Sequence, residues 1–131
     1  MSKFKALFLA IAALFVALPM AASAQARLVE YSQSTFEAAQ REGRTIVVDV
    51  HAPWCPTCRA QEPILRELRS HPDLANALFI RVDFDSNAAF RRAHNIPRQS
   101  TILVFQGRNE TGRSVAETNR DRLRSFVLGA I

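Results

Sequence analysis

The feature that most constrains the fold is a strand that runs directly into a helix near the middle of the chain. Residues 45–51 (TIVVDVH) are mostly β-branched and apolar, which favours a central strand buried on both faces. Shortly after it, Cys55 begins a helical pattern that continues to about Arg69. Pro63 falls inside this pattern and is expected to kink the helix. A strand and helix joined in this way predict a sheet whose faces are covered by helices.

Further strands and helices alternate on either side of this unit. Helices are predicted to begin at Ser34, whose spacing to Glu37 is that of a capping box, at Ser86 or Asn87, and at Thr118, which caps with Asp121. Strands are predicted at residues 28–31, 45–51, 78–83, 101–105 and 111–115. The order βαβαβαββα predicts an α/β fold with a central mixed sheet flanked by helices.

The first 24 residues have the pattern of an export signal. Lys3 and Lys5 precede an apolar run at residues 6–18, and Ala22-Ser23-Ala24 is a small-residue cleavage pattern. A membrane anchor is the alternative, but the run is shorter than the about 20 apolar residues of a spanning helix. We therefore predict a cleaved signal peptide at 1–24, one domain at 25–131, and a periplasmic or secreted protein.

The scattered distribution of basic residues argues against a nucleic-acid partner. Lys3 and Lys5 are the only lysines, so the other 15 basic residues are arginines, and they are scattered along the sequence. Nucleic-acid binding needs clustered basic residues together with aromatic side chains placed for stacking. We therefore expect a monomer with no nucleic-acid partner and no stable membrane anchor after cleavage.

Both cysteines lie in a single Cys-x-x-Cys, Cys55 and Cys58. A disulfide that closes so short a loop stabilises a fold little, and a zinc site would need ligands that no second cysteine pair supplies. An inert structural disulfide is the other alternative, and the same short loop disfavours it. A helix N-terminus stabilises a thiolate, so Cys55 is predicted to be an exposed, acidic nucleophile. Cys58, more buried, is predicted to release the mixed disulfide that Cys55 forms.

Several of these residues together resemble the thioredoxin superfamily. The matches are the WCPTC motif at residues 54–58, Asp49 before it, Pro63 after it, and the strand TILVF at residues 101–105, and they span nearly the whole mature chain. The resemblance implies a thioredoxin fold and disulfide exchange with protein substrates, with no cofactor. It also implies that Trp54 shields the nucleophile and contacts partners.

The resemblance assigns a proton-transfer role to a buried aspartate. Asp49 matches the residue that helps move the proton of the second thiol, Cys58, although a strand aspartate with no catalytic role is the alternative. Arg81 matches a position often held by lysine, and an arginine there would keep Asp49 more ionised. His51 is expected to be a packing residue, or else to tune Cys55 or bind a metal.

The sequence departs from the family at the proline that faces the cysteines. Thioredoxins carry a cis-proline directly before the strand at 101–105, where this chain has Ser100. Pro97, three residues earlier, is the alternative occupant. If Ser100 holds the position, its preceding peptide bond should be trans. Gln99 would then inherit backbone pairing with the substrate, and Pro56, Thr57 and Trp54 complete the predicted substrate-binding set.

Two functions follow from the cysteine pair. Pro56-Thr57 supplies no charge, which favours a milder potential than that of strong oxidants with a histidine between the cysteines. The first function is a thiol–disulfide oxidoreductase, a reductase or isomerase of protein disulfides, supplied by an unidentified electron donor in the cell envelope. The alternative is a module that binds a soft metal such as copper through Cys55, Cys58 and His51.

Overall fold

The computed structural model describes residues 24–131, so the predicted signal peptide lies outside the described residues apart from Ala24. The elements follow the predicted order, with one additional short 3-10 turn at Pro72–Leu74. None of the described helices is long and apolar enough to span a membrane. The elements are β1 (Arg27–Glu30), α1 (Gln33–Arg41), β2 (Thr45–His51), α2 (Pro56–Arg69), β3 (Leu78–Asp83), α3 (Ala88–Ala93), β4 (Thr101–Gln106), β5 (Asn109–Val115) and α4 (Arg120–Gly129).

The five strands of the described residues form one mixed sheet in the order β1-β3-β2-β4-β5. Strands β1, β3 and β2 are parallel, whereas β4 runs antiparallel to β2 and β5 antiparallel to β4. The predicted α/β fold with a central mixed sheet and β2 at its centre is therefore confirmed.

Alternation along β2 divides the core into two layers. Val47 packs with residues of α2 and α4, while Val48 and Val50 pack with residues of α1 and α3 on the other face. Because successive strand side chains point to opposite faces, Asp49 shares the face of Val47. The one buried carboxylate of β2 therefore lies beneath the helix that carries Cys58.

The helix starts differ from the sequence prediction at two of the four α-helices in residues 24–131. Helix α1 is capped by Ser32, which accepts a hydrogen bond from the Thr35 N–H, and not by Ser34. Helix α4 is capped by Asn119 and not by Thr118. In both places several cap-forming residues lie side by side, and the capping pattern alone selects the wrong one.

Three chain segments meet at one edge of the sheet. Strands β2 and β3 both end there, since His51 pairs with Asp83 in the parallel register. The antiparallel strand β4 begins there, since Thr101 pairs with Val50. The connections after β2 and β3 and the residues just before β4 are thereby brought together, and the first of these connections leads into α2.

Candidate active site

Cys55 is the N-cap of helix α2. Its Sγ accepts a hydrogen bond from the backbone N–H of Cys58 at 3.1 Å, and Pro56 occupies the first helical turn, where a missing N–H is tolerated. Both cysteines are free thiols. The prediction of an exposed Cys55 is wrong, because each cysteine is only 1% exposed. The Cys55 sulfur turns inward to cap its own helix instead of pointing into solvent.

Ser100 forms the wall opposite the two sulfurs. Its Oγ lies 3.2 Å from the Sγ of Cys55 and 3.2 Å from the Sγ of Cys58. The φ angle of Ser100 is +65°, a value that proline cannot adopt. Pro97 is exposed, and no peptide bond within residues 24–131 is cis. Ser100, with a trans peptide bond before it, therefore stands where the family resemblance places a cis-proline.

The left-handed backbone of Ser100 is held by hydrogen bonds from three sides. Its N–H donates to the Val50 carbonyl at 2.8 Å, and its carbonyl accepts from the Ala116 N–H at 3.0 Å. Gln61 Nε2 adds a third bond, to the same carbonyl at 3.2 Å. These bonds offset a conformation that costs a non-glycine residue about 1–2 kcal/mol.

Gln61 is a site residue that the sequence analysis missed. It lies three residues after Cys58 in α2, is fully buried, and bridges the carbonyls of Ser100 and Glu117 through Nε2. Its Oε1 has no hydrogen-bond partner within residues 24–131. The sequence signal that could have identified Gln61 is a polar residue on the core-facing side of the amphipathic helix α2. Gln61 ties the loop of Ser100 to the helix of the cysteines.

The two thiols have pKa values shifted in opposite directions. Burial raises the pKa of Cys55, but hydrogen bonds from the Cys58 thiol, the Ser100 hydroxyl and two backbone N–H groups outweigh it, so the net pKa is lowered. Burial and donation to Cys55 raise the pKa of Cys58. These opposite shifts make Cys55 the more acidic of the two thiols, and the arrangement suits a nucleophilic thiolate beside a protonated second thiol.

Asp49 is paired with Arg81 across the β2–β3 ladder. The Arg81 Nε lies 3.3 Å from Asp49 Oδ2, and the carboxylate residue is only 4% exposed. Burial raises the pKa of Asp49, and this effect exceeds the lowering by Arg81 and His51. No hydrogen bond links Asp49 to either sulfur within residues 24–131. The expected Arg81 neighbour is present, yet Asp49 gives up its proton less readily than an ordinary aspartate.

The raised pKa of Asp49 predicts a stability that falls as the pH rises. Between the ordinary value of 3.8 and the higher native value, the native state holds a proton that the unfolded chain has lost. The free energy of unfolding therefore decreases across this window and stays lower above it. Asp49→Asn, which still accepts from Arg81, is expected to remove that decrease. Urea unfolding of both proteins at a series of pH values measures it.

Asp83 offers a matched control of opposite sign. Hydrogen bonds from the side chain and backbone of Ser86 lower the pKa of Asp83, so its contribution is present at neutral pH and lost as the pH falls. Asp83→Asn should therefore change the pH dependence in the direction opposite to Asp49→Asn. Changes of the same sign in both variants would contradict the assignment.

The rim of the site carries exposed groups that the sequence assigned to substrate binding. Trp54 is 55% exposed, and its indole Nε1 donates to Asp85 Oδ2 at 2.7 Å, a partner that the sequence analysis missed. Pro56 is exposed and Thr57 half-buried. The backbone N–H of Gln99 makes no hydrogen bond within the described residues. Together with Ser100, these predicted residues lie around one cysteine pair.

The geometry gives no support to the metal-binding alternative. Among residues 24–131 no group of three or more histidine, cysteine, aspartate or glutamate side chains is arranged to hold a metal ion. His51 ends β2, is half-buried, and makes no hydrogen bond to either sulfur in that part of the chain. His51 therefore does not complete a soft-metal site with the two sulfurs within residues 24–131.

Comparison with known proteins supplies the family. Residues 27–128 match the family model described as thioredoxin. The chain belongs to the thioredoxin family. The predicted resemblance to the thioredoxin superfamily is thereby confirmed, and the match extends from the first residue of β1 into the last turn of α4.

Individual relatives agree with this assignment. Trxlp from Edwardsiella tarda EIB202 is 33% identical with a TM-score of 0.75, over 77% of this chain and 98% of that chain. Thioredoxin H2-1 of Oryza sativa subsp. japonica is 26% identical over 70% of this chain and 64% of its own length. A thioredoxin of Chlamydia trachomatis is 27% identical over 63% and 78%. The chain thus spans less than two thirds of the rice relative.

Proposed function

We propose that this thioredoxin-family chain is a thiol–disulfide oxidoreductase that reduces or isomerises protein disulfides in the cell envelope. The observation that carries the proposal is the pair of thiols at the start of α2, with the pKa lowered at Cys55 and raised at Cys58. A thiolate attacks a disulfide and a thiol does not, so Cys55 reacts first and Cys58 resolves the mixed disulfide.

Asp49 is the proposed acceptor of the Cys58 proton. Its raised pKa brings the carboxyl closer to the pH at which it can both accept and release a proton. A cavity of about 20 Å³ lined by Asp49, Glu62 and Arg81 is large enough for one water molecule. Water there would let the buried carboxyl exchange its proton with solvent.

Substrate binding is proposed at the rim of the site. The exposed ring of Trp54, fixed by Asp85, and the exposed Pro56 offer apolar contact to a polypeptide next to Cys55. The N–H of Gln99, which has no hydrogen-bond partner within residues 24–131, offers a backbone hydrogen bond to an extended substrate chain. A polypeptide lying along these groups would bring its disulfide to the cysteine pair.

A reducing or isomerising direction is favoured by the neutral surroundings of the sulfurs. Pro56 and Thr57 carry no charge, and no arginine or histidine side chain hydrogen-bonds to either sulfur within residues 24–131. Stabilisation of the thiolate by neutral donors alone is weaker than stabilisation by a cation. The reduced form is therefore stabilised less than in a strong oxidant, and the protein releases electrons more readily.

Three assays on the purified protein test this direction. They measure reduction of a protein disulfide with dithiothreitol as electron source, rearrangement of a scrambled disulfide protein, and oxidation of a reduced unfolded protein. We expect the first or second to be accelerated well above the third. Acceleration of oxidation alone would contradict the proposed direction, and acceleration of none would contradict the proposed function.

Export is proposed from residues 1–24, whose basic start, apolar run and Ala22-Ser23-Ala24 have the order of a signal peptide. Intact-mass analysis of the protein recovered from the envelope fraction tests it. We expect a chain that begins at Gln25. Recovery of the complete chain from the cytoplasmic fraction would contradict export.

A further inference from the structure

The hydroxyl of Ser100 is shared between the two sulfurs. It lies 3.2 Å from each of them, in a fully buried residue, and has no further hydrogen-bond partner within the described part of the chain. A serine hydroxyl has one hydrogen to donate and two lone pairs to accept with. It can therefore donate to one sulfur while it accepts from the thiol of the other.

Equal distances make this donor able to switch without moving the backbone. Rotation about the Cβ–Oγ bond of Ser100 redirects the hydrogen from one sulfur to the other. The Cys58 thiol can also donate to the Val50 carbonyl, but that oxygen lies farther away, at 4.0 Å from Cys58 Sγ. Gln61 and Ala116 fix the carbonyl of Ser100, so the hydroxyl stays between the sulfurs during the switch.

Building on the disulfide exchange proposed above, we infer that Ser100 is a catalytic residue whose hydroxyl donates first to the Cys55 thiolate and then to the Cys58 thiolate. The proline that the family resemblance places at this position has no hydroxyl and could make only apolar contacts with the sulfurs. Ser100 would act on the reacting sulfurs themselves, in addition to the substrate contact that the sequence predicted for it.

Reduction of a substrate disulfide takes two thiol–disulfide exchange steps. The Cys55 thiolate forms a bond to one substrate sulfur, the substrate disulfide breaks, and the other substrate sulfur leaves as a thiolate. Cys58 then gives its proton to Asp49, which returns it through solvent to a substrate thiolate, and the Cys58 sulfur displaces the substrate from Cys55. Two electrons pass from the protein sulfurs to the substrate. Once Cys55 is part of a neutral disulfide, the hydroxyl is released to donate to Cys58.

The apolar surroundings of the sulfurs strengthen a hydrogen bond from the Ser100 hydroxyl to a thiolate. Cys55 and Cys58 cluster with Ala52 and Phe84, so the sulfurs lie in an apolar environment where a hydrogen bond to an anion is strong. The hydrogen bond from Ser100 lowers the pKa of both thiols against the effect of burial. The other neutral donors, the N–H groups at the start of α2, are fixed in the backbone and cannot turn from one sulfur to the other.

Ser100→Gly tests the inference, because glycine accepts a φ of +65° and removes only the side chain. A hydrogen bond to a charged group contributes enough to shift a pKa by about one unit. We therefore expect the pKa of Cys55, read from the pH dependence of its alkylation rate, to rise by about one unit. We also expect the mixed disulfide with a protein substrate to be resolved about tenfold more slowly.

Asn95→Gly is the matched control. Asn95 has a φ of +51°, so glycine there relieves a similar backbone strain, and no hydrogen bond links Asn95 to Ser100 or to a sulfur within residues 24–131. It should leave the Cys55 pKa and the resolution rate at their wild-type values. Should Ser100→Gly fold poorly, Ser100→Ala removes the same hydroxyl and keeps the Cβ.

The outcomes separate this inference from the function on which it rests. Wild-type pKa and resolution rate in both Ser100 variants, with normal turnover in the wild type, would overturn the role of Ser100 alone. A wild-type protein that turns over no protein disulfide would overturn the proposed function. In that case the alkylation comparison still decides whether the hydroxyl stabilises the Cys55 thiolate.

Discussion

Replacement of Cys55 by serine is expected to abolish protein-disulfide reduction, lowering the rate by at least about a thousandfold, as loss of a nucleophile does in other enzymes. A hydroxyl cannot form the mixed disulfide, and the remaining thiol of Cys58 has a raised pKa and is buried. The fold should survive, because serine is itself a favoured N-cap and can accept the hydrogen bond from the Cys58 N–H. Turnover with dithiothreitol as electron source, beside far-ultraviolet circular dichroism, measures both.

The same substitution one turn along the helix should behave differently. Cys58→Ser keeps a hydroxyl that can donate to the Cys55 sulfur, so Cys55 remains a competent nucleophile. Turnover should still be lost, because nothing displaces the substrate from Cys55. We expect a covalent adduct with the substrate, one per chain, visible by intact mass and released by dithiothreitol.

These two variants are each other's control, since both exchange one sulfur for oxygen within a single turn of α2. Accumulation of the adduct in Cys55→Ser, with none in Cys58→Ser, would reverse the roles of the two cysteines. Equal and undiminished turnover in both would exclude the pair from the reaction altogether.

The order of elements was predictable from local patterns. The apolar, β-branched run of β2 and the helical pattern after Cys55 are set by neighbouring residues, and the strand at Thr45–His51 has the predicted bounds. Capping was less predictable, because Ser32 just before α1 and Ser34 in its first turn are both residues that favour the N-cap position. Helix α2 continues through Pro63, whose missing N–H removes one helical hydrogen bond. The kink predicted there stays a prediction.

The site was predictable only where a local pattern or a known family motif points to it. Cys55 at a helix start and Asp49 beside Arg81 follow from such patterns, and the β2–β3 register pairs the latter two. The contact of Ser100 with both sulfurs joins residues more than 40 positions apart, which no local pattern reveals. A positive φ at a serine has no sequence signal, because glycine or asparagine is the usual occupant.

The measurement that tests the central claim most directly is the reduction potential of the Cys55–Cys58 pair in the purified protein. Titration in redox buffers, with the oxidised and reduced forms counted by intact mass after alkylation, gives the number of electrons and the potential. We predict one two-electron transition between about −270 and −180 mV, in the range of thioredoxin and disulfide isomerase. A potential below about −300 mV, typical of a structural disulfide, or no internal disulfide at all, would contradict a reversible redox pair.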